Sequence, residues 1–110
     1  MFGLRDNDVE QIITLLQQYP EVLEAYIFGS RAKGNYKSGS DVDIALKGEK
    51  ITYRTVCKIN AFLNEETLMP YKFDILNFND LNNVDLIKHI DSIGQKFYEA
   101  EPQHLSNNSK

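Results

Sequence analysis

Apolar side chains recur along the chain at two periods, and the alternation between them sets out the elements. Val9, Ile12, Ile13 and Leu16 fall at i, i+3, i+4 and i+7, one face of a helix that Asn7 can cap and Pro20 cannot continue. Leu23 to Phe28 is a β-rich run ending at Gly29. Ser30 to Gly34 allows one short helical turn, and Asn35 to Ser40 reads as a polar loop. From Asp41 to Leu46 the period is two: Asp41, Asp43 and Ala45 face one way, Val42, Ile44 and Leu46 the other. Val56, Ile59, Phe62 and Leu63 mark a second long helix that should end before Pro70. Tyr71 to Leu76 is a third strand, with Phe73 and Ile75 opposite Lys72, Asp74 and Leu76. Leu86, Ile87, Ile90 and Ile93 form a last helix, broken at Gly94 and resumed through Phe97 and Tyr98.

The order α-β-α-β-α-β-α predicts an α/β (α+β) fold: a small mixed three-stranded sheet with helices packed on one face and the other face left partly open. Residues 1–100 make up this domain. Glu101 to Lys110 holds a single aliphatic residue, Leu105, and is expected to be a flexible tail outside the fold.

Composition narrows the classes. The chain has 110 residues, 42% apolar and 25% charged, enough for one modest core and too apolar for a disordered segment. Twelve basic residues against sixteen acidic ones give a net charge of −4, which argues against direct nucleic-acid binding, since such proteins present a basic surface. The longest unbroken apolar run is Ala25 to Phe28, so no membrane span is expected, and Met1 to Asp8 lacks a signal-peptide core. A single cysteine, Cys57, excludes an internal disulfide and suits a reducing compartment, so a cytoplasmic location is expected. Cys57 itself reads as core, and His89 as a structural helical histidine.

The chemistry lies on the polar strand faces. Asp41 and Asp43, two residues apart on a strand, leave the same face with Cα atoms about 7 Å apart, a spacing that suits shared metal ions. Asp74 adds a third carboxylate on another strand, and if the two strands are neighbours it lands beside the pair. Three acids on one face repel one another, and a divalent cation resolves that repulsion. An isolated Asp-x-Asp marks no more than a solvated strand face, and Ala45 stands where an EF-hand loop needs its third ligand.

Gly29 and Ser30 sit where a strand gives way to a helical turn, a junction that offers backbone N–H groups and a hydroxyl to an anion. An ordinary turn with a serine cap would look the same. The Walker A loop is absent: Gly29 and Gly34 have its glycine spacing, but Asn35 and Tyr36 replace its Lys and Ser/Thr.

Taken together, the stretch GSRAKGNYKSGSDVDIAL from Gly29 to Leu46, with Asp74 on the next strand, resembles the DNA polymerase β-type nucleotidyltransferase superfamily. Its small size and element order resemble the minimal nucleotidyltransferase branch, compact proteins partnered by helical HEPN-type proteins in toxin–antitoxin modules. The resemblance covers Val9 to about Tyr98. It implies that Gly29 and Ser30 hold the β- and γ-phosphates of a nucleoside triphosphate. It also implies that Asp41 and Asp43 bind two Mg²⁺ ions and that Asp74 completes the catalytic metal's shell; Arg31 and Lys33, next to the phosphate turn, either add cationic contacts or are simply solvated. Lys33 stands where many relatives have arginine.

The expected activity is transfer of a nucleoside monophosphate, AMP from ATP, to a hydroxyl on a partner protein. Larger relatives carry an extra acceptor-binding domain; this chain is too short for one, so a HEPN-type partner is expected to supply the acceptor. The alternative is a non-enzymatic antitoxin or assembly subunit that neutralises its helical partner by covering it. Base preference, the acceptor residue and the oligomeric state are not written in the sequence.

Overall fold

The computed structural model describes residues 1–37 and 39–101, so all but the first residue of the expected tail lies outside the described residues. Helix α1 spans Asp6–Leu16. It starts just before Asn7, the expected cap. Asp8 in its first turn instead accepts the Arg5 backbone N–H at 3.2 Å and Arg5 Nε at 3.1 Å, which closes the helix start. Strand β1 (Glu24–Phe28) leads into the four-residue α2 (Ser30–Lys33), and strand β2 spans Val42–Lys47. Helix α3 (Tyr53–Ala61) runs on into a π-helical turn, Phe62–Glu66, before strand β3 (Phe73–Asn77). After a 3₁₀ turn at Phe78–Asp80 come helix α4 (Val84–Ile93) and strand β4 (Gln95–Glu99).

The mixed α/β class holds, and the sheet has four strands rather than three, in the order β3-β2-β1-β4. The fourth is the segment expected to resume the last helix. Gly94 ends α4 with an extended backbone, its N–H bonded to Ile90 O at 2.8 Å, and the chain turns back to pair antiparallel with β1. Five residues containing Phe97 and Tyr98 satisfy either period, and the unpaired edge of β1 decides between them. At the opposite edge, the Asn64 side chain from the π-helical turn pairs with the Phe73 peptide. Its Oδ1 accepts Phe73 N–H at 2.8 Å and its Nδ2 donates to Phe73 O at 3.0 Å, imitating the missing neighbour strand.

Helices cover both faces, not one. Val42, Ile44 and Leu46 of β2 join Ala25, Ile27, Phe73 and Ile75 in the main core, packed with Ile12 and Leu16 of α1 and Ile59 of α3. On the other face Phe28, Ala45 and Ile90 form a second cluster with Leu76 and Leu86, so α4 lies there. The period-two alternation explains why: Ala45 and Leu76 share the face of Asp43 and Asp74, and the apolar end of that face needs cover. Its acidic end carries half-buried Asp43 and exposed Asp74. Cys57, expected in the core, is exposed, because Thr55 and Ile59 take the inward face of α3. Among the described residues no helix is long and apolar enough to cross a membrane.

Candidate active site

Sheet register assembles the site. Strands β2 and β3 run parallel, joined by the α3 crossover, and Asp43 is the direct partner of Asp74. On the other side of β2, Phe28 of antiparallel β1 pairs with Asp43. Phe28, Asp43 and Asp74 therefore form one row across three strands, with adjacent backbones about 5 Å apart. Gly29 and Ser30 follow at the end of that row, and exposed Asp41 immediately precedes β2. Parallel pairing in this register meets the condition set by the sequence, that Asp74 lie beside the Asp-x-Asp pair.

Gly29 has φ +76° and ψ −154°, a backbone region that essentially only glycine populates. A Cβ built there would lie 2.5 Å from Asp43 Oδ2. Glycine is thus required twice: for the bend out of β1 and for room beside the carboxylate. The four residues of α2 close with Lys33 N–H to Gly29 O at 3.1 Å and Gly34 N–H to Ser30 O at 3.0 Å, and Gly34 ends the turn in the left-handed region at φ +86°.

The electrostatics agree with three converging acids. Burial pushes the Asp43 carboxyl above its ordinary range, and the negative charges of Asp74 and Asp41 push it further, with the Arg31 charge opposing them. A hard divalent cation with oxygen ligands fits this donor set, because it neutralises the repulsion that raises Asp43. Among the described residues, no three Asp, Glu, His or Cys side chains are drawn into a ready-made metal-ligand cluster.

Arg31, expected as a cationic contact beside the phosphate turn, is held by backbone carbonyls. The residue is only 4% exposed, and its guanidinium is bonded into the loop that carries Asp41. Nη2 donates to Ser40 O at 2.8 Å, Nη1 to Phe2 O at 2.9 Å, and Nε to both Ser40 O and Asp41 O at 3.2 and 3.3 Å. Tyr36 and Tyr71 flank it, ring centroids 5.1 and 5.2 Å from Cζ. A buried arginine is most stable where its fork meets several acceptors at once, and backbone carbonyls here supply them. In this arrangement Arg31 braces the Asp41 loop through its carbonyls. Lys33, at the end of the same turn, is exposed. Tyr71 continues the brace inward by donating its hydroxyl to buried Asp8 at 2.9 Å.

His89, read from the sequence as a structural helical histidine, reaches the glycine-serine turn. His89 Nε2 accepts the Gly29 N–H at 3.1 Å, and its ring stands edge-on to Phe28. Its helical position beside Ile90 was the only available signal, and it carried no information about a turn sixty residues away.

Comparison with known proteins points the same way. Residues 10–103 match the family described as Polymerase beta, Nucleotidyltransferase. No curated protein matches the chain in sequence. Among solved structures, a chain of a toxin–antitoxin complex with AMP-PNP superposes with a TM-score of 0.68 at 18% identity, over 89% of this chain and 76% of that one. A chain of the MntA–HepT toxin–antitoxin gives 0.66 at 17% identity, over 87% and 74%. A chain of the tri-AMPylated Shewanella oneidensis HEPN toxin in complex with MNT antitoxin gives 0.62 at 16% identity, over 91% and 74%. Likeness at such identities establishes a shared fold. With the family match spanning most of its length and the glycine-serine turn set beside paired aspartates, the chain belongs to the polymerase β-type nucleotidyltransferase family.

Proposed function

We propose that this protein is a Mg²⁺-dependent nucleotidyltransferase of the minimal, antitoxin-like kind. It moves AMP from ATP onto a hydroxyl of a helical HEPN-type partner protein encoded with it. The observation that carries this reading is the in-register pairing of Asp43 with Asp74, with Gly29 set against the Asp43 carboxylate. The choice of AMP and of a protein acceptor is suggested by the neighbouring folds, one of which is a chain from a complex of tri-AMPylated HEPN toxin with MNT antitoxin.

In this reading Gly29 and Ser30 hold the β- and γ-phosphates, and the missing Cβ of Gly29 leaves room for them beside Asp43. Asp41, Asp43 and Asp74 would hold two Mg²⁺ ions; bound there, these supply charge neutralisation on the triphosphate and a lowered pKa for the attacking hydroxyl. The acceptor oxygen forms its bond to the α-phosphorus as the bond to pyrophosphate breaks. Asp74, exposed on the edge strand, can accept the hydroxyl proton on a carboxylate oxygen. Arg31 keeps Asp41 in place throughout by holding the carbonyls of Ser40 and Asp41.

The test is α-labelled ATP with Mg²⁺ and the protein co-expressed with its neighbouring gene's product. Label on the partner that disappears with Asp43→Asn and with Asp74→Asn supports transfer. A partner that is inhibited yet unlabelled would refute transfer and identify a binding-only antitoxin.

A further inference from the structure

Helix α4 covers the apolar end of the acid-bearing face, yet one of its side chains reaches the other end. His89 Nε2 accepts a hydrogen bond from Gly29 N–H at 3.1 Å, and the imidazole packs edge-on against Phe28 with centroids 6.2 Å apart at 80°. Accepting through Nε2 requires that nitrogen to be unprotonated, which places the ring proton on Nδ1. Gly29 is the residue with the least intrinsic preference for any one conformation, and it stands at φ +76°, ψ −154°. Glycine permits that geometry without selecting it, so an outside group must hold the peptide there.

We propose that His89 is a positioning residue of the candidate active site: it clamps the Gly29 peptide from α4 and so fixes the glycine-serine turn against Asp43. The functional consequence rests on the nucleotidyltransferase reading, whereas the clamp does not. The competing explanation is packing alone, with the imidazole serving only as a lid on Phe28.

Two substitutions separate these roles. His89→Phe keeps a ring on Phe28 and removes the acceptor; His89→Gln restores an acceptor oxygen at similar reach and removes the ring. Clamping predicts that His89→Phe lowers the kcat for AMP transfer by about ten- to a hundredfold, the scale of a misplaced reacting group. His89→Gln should recover most of that loss. It also predicts that the Gly29 amide resonance of the nucleotide-free protein shifts in His89→Phe and stays near its normal position in His89→Gln. The reverse ranking, with the Gln variant impaired and the Phe variant normal, assigns His89 to packing and overturns the proposal. So does a shifted amide with unchanged turnover. Should the wild-type protein transfer no nucleotide at all, the nucleotidyltransferase reading fails, and the amide resonance alone then decides the clamp.

Discussion

Replacing Arg31 with alanine separates a structural brace from a phosphate ligand. The side chain is 4% exposed and makes two short bonds from a charged donor, to Ser40 O at 2.8 Å and Phe2 O at 2.9 Å. Each orphaned carbonyl costs roughly 1 kcal/mol at the lower end of the range, the end that applies where a loop can admit water. Loss of the two flanking tyrosine contacts adds roughly 0.5 kcal/mol apiece. The total is about 3 kcal/mol, which for a domain of this size lowers the melting temperature by about 12–24 °C. Arg31→Lys should recover only part of this, because an ammonium cannot span carbonyls from two segments as the planar fork does. The assay is thermal and urea unfolding of the protein without nucleotide or metal, so no ligand effect enters. An Arg31→Ala protein that melts within about 3 °C of wild type, with its defect confined to a raised KM for ATP, would refute the brace and restore the phosphate contact.

Asp43→Asn should raise the melting temperature while abolishing transfer. Burial and the charges of Asp74 and Asp41 hold the folded-state pKa of Asp43 above its unfolded value, so ionisation penalises the fold. That penalty is absent below about pH 4 and complete above the raised folded pKa, so the variant's advantage should vanish in acid; a variant less stable than wild type at pH 7 contradicts it. Asp8 has the opposite sign, because hydrogen bonding from Arg5 outweighs burial and lowers its pKa. The stability lost in Asp8→Asn should therefore be full at neutral pH and shrink as pH falls from about 4 through the lowered folded value, and a deficit constant from pH 7 to 3 would count against it. Gly29→Ala puts a Cβ 2.5 Å from Asp43 Oδ2 at a φ of +76°. It should cost about 1–3 kcal/mol in the unfolding assay and eliminate labelling of the partner, and retained labelling would remove Gly29 from the site.

Local pattern alone determined which residues could share a face. Alternation over Asp41 to Leu46 and Tyr71 to Leu76 put the three carboxylates opposite Val42, Ile44, Phe73 and Ile75, because the side-chain period of a strand is set by covalent geometry. The ten-residue spacer between Gly29-Ser30 and Asp41 was likewise legible, and the family reading followed from it. Three features were not legible, each depending on contacts between distant segments. Gln95–Glu99 became a strand because β1 had a free edge, although its own five residues suited either period. Arg31 turned inward because carbonyls at Phe2 and Ser40 met its fork, a convergence that neighbouring sequence does not encode. His89 came to the glycine turn because Ile90 and Leu86 seat α4 on the apolar end of the acid-bearing face. Period and propensity act over a few residues along the chain, whereas partners for buried donors, acceptors and strand edges are chosen only when the whole chain has closed around them.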